Sequence, residues 1–295
     1  MAPTPLPRPH TGARPYLALA LGTLGLGLSA IFVRWAGAPG AVAGFYRMGL
    51  AALVMALPAT ARLRPPARFT RRHVVLAVLA GLFFAGDLAS WNTALFFTSA
   101  ANATLLGNTA PVWVGLIALF IFRERLGRVF WLGLGLAMAG AVLIMSTDFL
   151  RHPSLGLGDA LSLVAGAFYA GFFLFTQRAR EGLDSLGAWW ISAVASTVGL
   201  LGVSLALGQP LTGYGLPTYL SLLGLALVTQ VGGYLAVSYA LGHLPASIVA
   251  PTLLGQVVVT ALLAIPLLGE PLHLNQLAGG ALLLGGIWLV NQRQS

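Results

Sequence analysis

The chain has 295 residues, of which 58% are hydrophobic and 8% charged; soluble domains carry about 25% charge, so ordinary cytosolic enzymes and nucleic-acid-binding domains are excluded. The formal charge of +9 comes from 16 arginines and no lysine, clustered between apolar runs as orientation in a bilayer requires. Cysteine is absent, which removes disulfide frameworks, thiolate metal sites and cysteine nucleophiles.

In chain order, the first fifteen residues, MAPTPLPRPHTGARP, are proline-rich and carry Arg8 and Arg14. They read as a short disordered cytoplasmic tail. A cleaved signal peptide fits poorly, because the next span is long and runs into Arg34-Trp35 without a small-residue cleavage site. Ten apolar runs follow, near 16–34, 41–60, 73–97, 100–122, 129–147, 157–177, 187–207, 217–241, 246–268 and 275–291. A spanning helix needs about 20 apolar residues. In hydrocarbon every backbone polar group must be paired within the span, so these runs predict helices. No stretch alternates with period two at barrel-strand length.

Thirteen arginines fall on the side of the N-terminus, among them Arg62, Arg64, Arg68, Arg71, Arg72, Arg123, Arg125, Arg128, Arg178 and Arg180. Only Arg34 and Arg151 fall on the other side, and Arg47 lies inside the second span. That bias predicts a multi-pass protein of the inner (plasma) membrane with both termini cytoplasmic and an even number of spans.

Residues 94–147 and 240–293 look alike at an offset of 146. ALFFTSAANATLLG sits against ALGHLPASIVAPTLLG, and Glu124, Leu126, Gly133 and Gly140 match Glu270, Leu272, Gly279 and Gly286. Further back, Gly86, Ser90 and Ala94 match Gly232, Ala236 and Ala240, stripes of small residues that allow close helix contact. The unit holds five spans, an odd number, so its two copies insert with opposite orientation. The prediction is an all-α membrane protein of ten transmembrane helices in two inverted five-helix repeats, 16–147 and 157–293. Inverted repeats recur in secondary transporters, with the substrate near the bilayer midplane between them.

Several polar and aromatic residues at depth are candidates for binding a small-molecule substrate. Asp87 is the one acidic residue near the middle of a span. A carboxylate there costs about 2.5–3.5 kcal/mol on insertion scales, so it needs a partner or a wet cavity. It suits a proton as coupling ion, or a structural role accepting from Asn92 or Arg47. Arg47, beside Tyr46, could snorkel outward, pair with Asp87 or hold a substrate carboxylate by a forked contact. Trp91 stands one turn after Asp87 on the same helix face. Trp91, Tyr169, Tyr234 and Tyr239 lie deep, whereas Trp35, Trp189 and Trp190 read as interfacial. An aromatic face can stack on an aromatic side chain or attract an ammonium group, and it can equally be ordinary packing. Asn102, Asn108, Gln230 and Gln256 carry amides within spans four, eight and nine; they read as cavity lining or interhelical glue. Pro111 and Pro251 interrupt spans four and nine near their middles, where a bend could serve as a hinge.

No catalytic constellation is present: there is no HExxH, GxSxG or phosphate loop. The five histidines lie in the tail or at span ends on both sides, so no metal site and no cofactor are expected.

The order of these features resembles the EamA-type drug/metabolite transporter superfamily. The matching residues are Arg123-Glu124-Arg125-Leu126, Gly269-Glu270-Pro271-Leu272, Thr98-Ser99-Ala100-Ala101, Gly158-Asp159 and Phe45-Tyr46-Arg47. The resemblance implies alternating-access transport of small metabolites. The mid-membrane aromatics look like the amino-acid exporters, including the aromatic amino acid exporter branch. It also implies that an arginine at position 47 is general to the family, which favours a structural role for it. The rival expectations are a broad-specificity drug exporter on the same fold and an intramembrane lipid-modifying enzyme.

Overall fold

The computed structural model describes residues 13–62, 71–94, 97, 106–120, 126–149, 156–268 and 274–292. Among them all regular structure is helical. The tail 1–12, Thr98 to Asn102, Arg123 to Arg125 and Gly269 to Leu272 lie outside the described residues, as does the side chain of Asn92.

The first predicted span is α1 (Ala13–Gly27) and α2 (Ser29–Ala36), interrupted at Leu28. The break frees the Gly27 carbonyl, which accepts from Thr260 Oγ1 at 2.7 Å. Gly37, at φ +58°, closes α2 in the left-handed conformation that glycine adopts without strain. The second span is α3 (Gly40–Val54) and α4 (Ala56–Arg62), and the third is α5 (Arg71–Ala94). Then come α6 (Ala110–Phe120), α7 (Arg128–Phe149) and α8 (Leu157–Ala179). Asp159 opens α8 by accepting from the Gly156 N–H at 2.9 Å.

Asp184 caps α9 (Ser185–Ala206), accepting from the Gly187 N–H at 2.9 Å. The eighth span is composite: α10 (Leu216–Gly224), a π-helical stretch (Leu225–Tyr234) and α11 (Leu235–Leu241). The ninth is α12 (Ala246–Leu253) and α13 (Gly255–Leu268), broken at Leu254, and the last is α14 (Leu274–Asn291). In the turn after α8, Arg180 donates through Nε to Ser238 O (2.9 Å) and through Nη1 to Leu183 O. Burial lowers its guanidinium from the ordinary arginine value, and the Asp184 charge opposes that shift.

Among the described residues seven segments are long and apolar enough to cross a bilayer: Ala13–Val33, Arg71–Trp91, Leu157–Ala179, Ser185–Ala206, Leu216–Leu241, Ala246–Leu263 and Leu274–Asn291. Gly40–Val54 and Ala110–Phe120 are apolar but shorter, and α7 is apolar over Arg128–Ile144. The chain is therefore a multi-pass membrane protein.

α7 and α14 meet at a seam of glycines. A Cβ built on Gly140 would lie 2.5 Å from Gly279 O and 2.8 Å from Leu283 Cα. One built on Gly286 would lie 2.5 Å from Gly133 O and 2.9 Å from Ala137 Cα. Neither position has room for a side chain. As residue numbers rise along α7, from Gly133 to Gly140, their partners on α14 fall from Gly286 to Gly279. The two helices therefore run antiparallel. Elsewhere α5 lies along α8, and α1 lies along the π stretch, where Gly25 leaves 3.1 Å between a built Cβ and Gly233 Cα.

Candidate functional site

Between α3, α2, the π stretch and α5 sits a buried cation. Arg47, on α3, is 6% exposed. Its Nε donates to Gln230 Oε1 at 2.9 Å and its Nη1 to Ser29 Oγ at 3.2 Å. Its guanidinium carbon stands 5.2 Å from the ring centroid of Tyr234 and 5.8 Å from that of Phe84. Aromatic faces attract a cation at this range.

The backbone supplies both neutral acceptors at irregular points. Ser29 begins α2 just after the break in the first span, and Gln230 lies inside the π-helical stretch. Such wide turns are rare and are found frequently at functional sites. The hydroxyls of Tyr169 and Tyr234 share a hydrogen bond of 2.9 Å. Phe84 packs on Tyr234, Phe172 and Tyr169 with centroid distances of 4.9, 4.7 and 6.1 Å, which makes an aromatic wall.

Asp87 lies on α5 within electrostatic reach of Arg47, Tyr169 and Tyr234. Among the described residues, however, no carboxylate oxygen comes within 4.0 Å of the Arg47 guanidinium; the ion pair found there is Arg178 with Glu181 at 2.8 Å. Arg47 is thus a buried cation held by neutral acceptors and rings. Burying a charge is costly unless it is compensated by a close opposite charge.

A second polar group lies at the broken helices. Gln256 Nε2 donates to Asn108 Oδ1 at 3.1 Å. Each amide directly follows the sequence Thr-Leu-Leu-Gly, at 104–107 and at 252–255, so these positions are related by 148 residues rather than 146. Both stand at interruptions: Asn108 and Thr109 form a turn before α6, and Leu254 separates α12 from α13. Trp91 packs against this break, its ring 3.0 Å from where a Cβ on Gly107 would be. α5 therefore links the two groups, carrying Phe84 against Arg47 and Trp91 against the break at Gly107.

Not every expected residue joins them. Tyr46 is neighbour to Arg47 in sequence, but its hydroxyl donates to Leu211 O at 2.8 Å and its ring meets Tyr219 at 5.8 Å. It fastens the loop between α9 and α10 instead. Pro111 occupies the first turn of α6, where a missing N–H costs nothing, directly after the turn at Asn108 and Thr109 near the middle of the fourth predicted span. Pro251 does lie inside α12, and the chain turns three residues later. Tyr239 is half-buried against His243, with a ring distance of 4.4 Å. Ser29 and Phe84 are the contacts of Arg47 that sequence reasoning missed. A serine in an otherwise apolar first span was the available signal for one; nothing marked Phe84 among so many phenylalanines.

An apolar groove of about 700 Å³ opens between α1, the π stretch and α13, lined by Leu24, Gly25, Leu28, Val228, Gly232 and Leu262 among others. Leu28 and Gly232 put it on the flank of the segments that carry Ser29 and Gln230.

Comparison with known proteins agrees with this architecture. The family model described as EamA-like transporter family matches residues 13–146 and again 156–292. A probable amino-acid metabolite efflux pump of Salmonella typhimurium is 30% identical over 66% of this chain and 68% of its own length. An uncharacterized transporter of Archaeoglobus fulgidus is 26% identical over 92% of this chain and 93% of its own. A solved crystal structure superposes with a TM-score of 0.80 at 16% identity, over 95% of this chain and 97% of its own, a likeness of fold.

Proposed function

Since this chain belongs to the EamA-like transporter family, we propose that it carries a small amphipathic metabolite, an amino acid with aromatic ones included, outward across the plasma membrane by alternating access. The ten predicted spans form two five-helix repeats, 16–147 and 157–293, inserted in opposite orientation. The antiparallel α7/α14 seam and the twofold match to the family model support this.

The observation that carries the substrate class is Arg47. A guanidinium this buried, with two neutral acceptors and no carboxylate in contact among the described residues, is completed by an anion from outside. A substrate carboxylate meets the fork directly. Asp87 receives the ammonium group or a proton, and Phe84, Tyr234 and Trp91 receive the side chain. The relative named as an amino-acid metabolite efflux pump points the same way.

Counterflow of labelled L-phenylalanine in proteoliposomes tests the proposal. Saturable exchange, competed by other amino acids and lost in Arg47→Gln, is expected; exchange that survives Arg47→Gln unaltered overturns the assignment. The apolar groove favours a second reading, a broad-specificity exporter of lipophilic compounds. Competition by lipophilic cations but not by amino acids would select it.

A further inference from the structure

The seam between α7 and α14 is symmetric to about the precision of the distances. Gly140 and Gly286 are counterparts in the two halves, as are Gly133 and Gly279, Ala137 and Leu283, and Ile144 and Val290, all 146 apart. A Cβ on Gly140 meets Gly279 O at 2.5 Å and Leu283 Cα at 2.8 Å; on Gly286 it meets Gly133 O at 2.5 Å and Ala137 Cα at 2.9 Å. On Gly133 it meets Gly286 O at 2.8 Å and Val290 N at 2.9 Å; on Gly279 it meets Gly140 O at 2.7 Å and Ile144 N at 2.8 Å. Each of these glycine contacts is matched by its image, and Ala137 and Leu283 lie where the axis crosses; the bond from Asn275 Nδ2 to Leu143 O at 3.2 Å, whose counterparts are Val129 and Leu289, lies outside this symmetric set.

The Asn108–Gln256 hydrogen bond has the same property, since each amide is the other's counterpart after Thr-Leu-Leu-Gly. The two features form one body. Leu254 and Val257, on either side of Gln256, pack in one buried cluster with Ala137 and Leu283, and Asn291 Nδ2 at the end of α14 donates to Thr252 Oγ1 at 3.1 Å.

We propose that the α7/α14 seam together with the Asn108–Gln256 bond is the fixed pivot of the carrier, an inference that rests on the alternating-access proposal above. In an inverted-repeat carrier the outward and inward states are related by exchanging the conformations of the two halves. A contact that this exchange maps onto itself is present in both states. Contacts that map onto different residues need not persist. The Tyr46–Leu211 bond and the bond from Thr218 Oγ1 to Ala36 O, at 2.8 Å each, are of that second kind and lie at the outer end. The seam stays closed while the ends exchange.

The test uses the full chain, whose lack of cysteine lets introduced labels stand alone. Leu136→Cys/Leu282→Cys places nitroxides on counterpart positions beside the axis, 37% and 38% exposed. Phe97→Cys/Leu216→Cys places them after α5 and at the start of α10, the ends predicted to face outward and taken as the mouth, both at exposed positions. Distances are recorded by double electron–electron resonance in lipid nanodiscs, with and without L-phenylalanine. The expected result is one narrow distance at the seam, unshifted by the amino acid, and two distances at the mouth. Two distances or a shift at the seam overturn the pivot and leave the carrier reading standing. A single fixed distance at the mouth overturns both, since the molecule then has no moving ends.

Discussion

Arg47 is the residue on which the proposed site turns. Its Nε and Nη1 are occupied by Gln230 and Ser29, and the rings of Tyr234 and Phe84 stand within 5.8 Å of its guanidinium carbon. Hydrogen bonds to a charged group are worth about 1.5–3 kcal/mol, so Arg47→Gln is expected to weaken substrate binding by at least about tenfold, read as apparent affinity in proteoliposomes. Arg47→Lys retains charge but loses the planar fork, and is expected to recover little of that loss. Asp87→Asn is expected to abolish the dependence of transport on a pH gradient; an unchanged dependence removes Asp87 from coupling. The tyrosine pair makes a cleaner thermodynamic case. Tyr234→Phe leaves the buried Tyr169 hydroxyl without its 2.9 Å partner and is expected to cost about 1–3 kcal/mol of stability. Adding Tyr169→Phe should return part of that cost, a coupling that a double-mutant cycle by thermal unfolding would measure. The sequence made Arg47, Asp87, Gln230 and the two tyrosines legible because charge and amide groups at depth demand partners. It misled at Tyr46, because adjacent residues on a helix point about 100° apart and face different clusters.

At the scale of elements, backbone irregularity is concentrated where the polar groups are. Ser29 follows a break, Gln230 sits in a wide turn, and Asn108 and Gln256 stand at interruptions. The proline in span nine hinted at such a break. The π stretch left no trace in hydropathy, since widening a turn changes hydrogen-bond spacing and not which residues are apolar. The repeat in sequence did mark Gly133, Gly140, Gly279 and Gly286, but periodicity alone could not say that they touch each other. Their contact yields a sharp contrast. Gly140→Ala or Gly286→Ala drives a methyl into opposing backbone and is expected to cost about 1–3 kcal/mol, seen as a lowered Tm in detergent. Gly285→Ala, on the same helix with nothing within 4 Å, is expected to be neutral or stabilising by up to about 1 kcal/mol.

For the whole molecule, membrane insertion followed from composition, since 8% charge leaves no other solvent. The number of spans is harder to read. Among the described residues seven segments meet the length and hydropathy of a crossing helix, and several of these are composite, so a predicted span does not map onto one helix. Orientation is open to direct measurement. Trp35→Cys is expected to react with an impermeant thiol reagent only from outside the cell, and Arg71→Cys only from the cytoplasm; the reverse pattern would overturn the arginine argument. The glycine seam also bears on how such a chain can change over time. Each of its four glycines is pressed against the image of another, so a bulkier residue fixed in one half is resisted by unaltered backbone in the other. Where the halves meet, drift in one copy is checked by its twin, and these positions should be the last record of a common ancestor once the rest of the duplication has blurred.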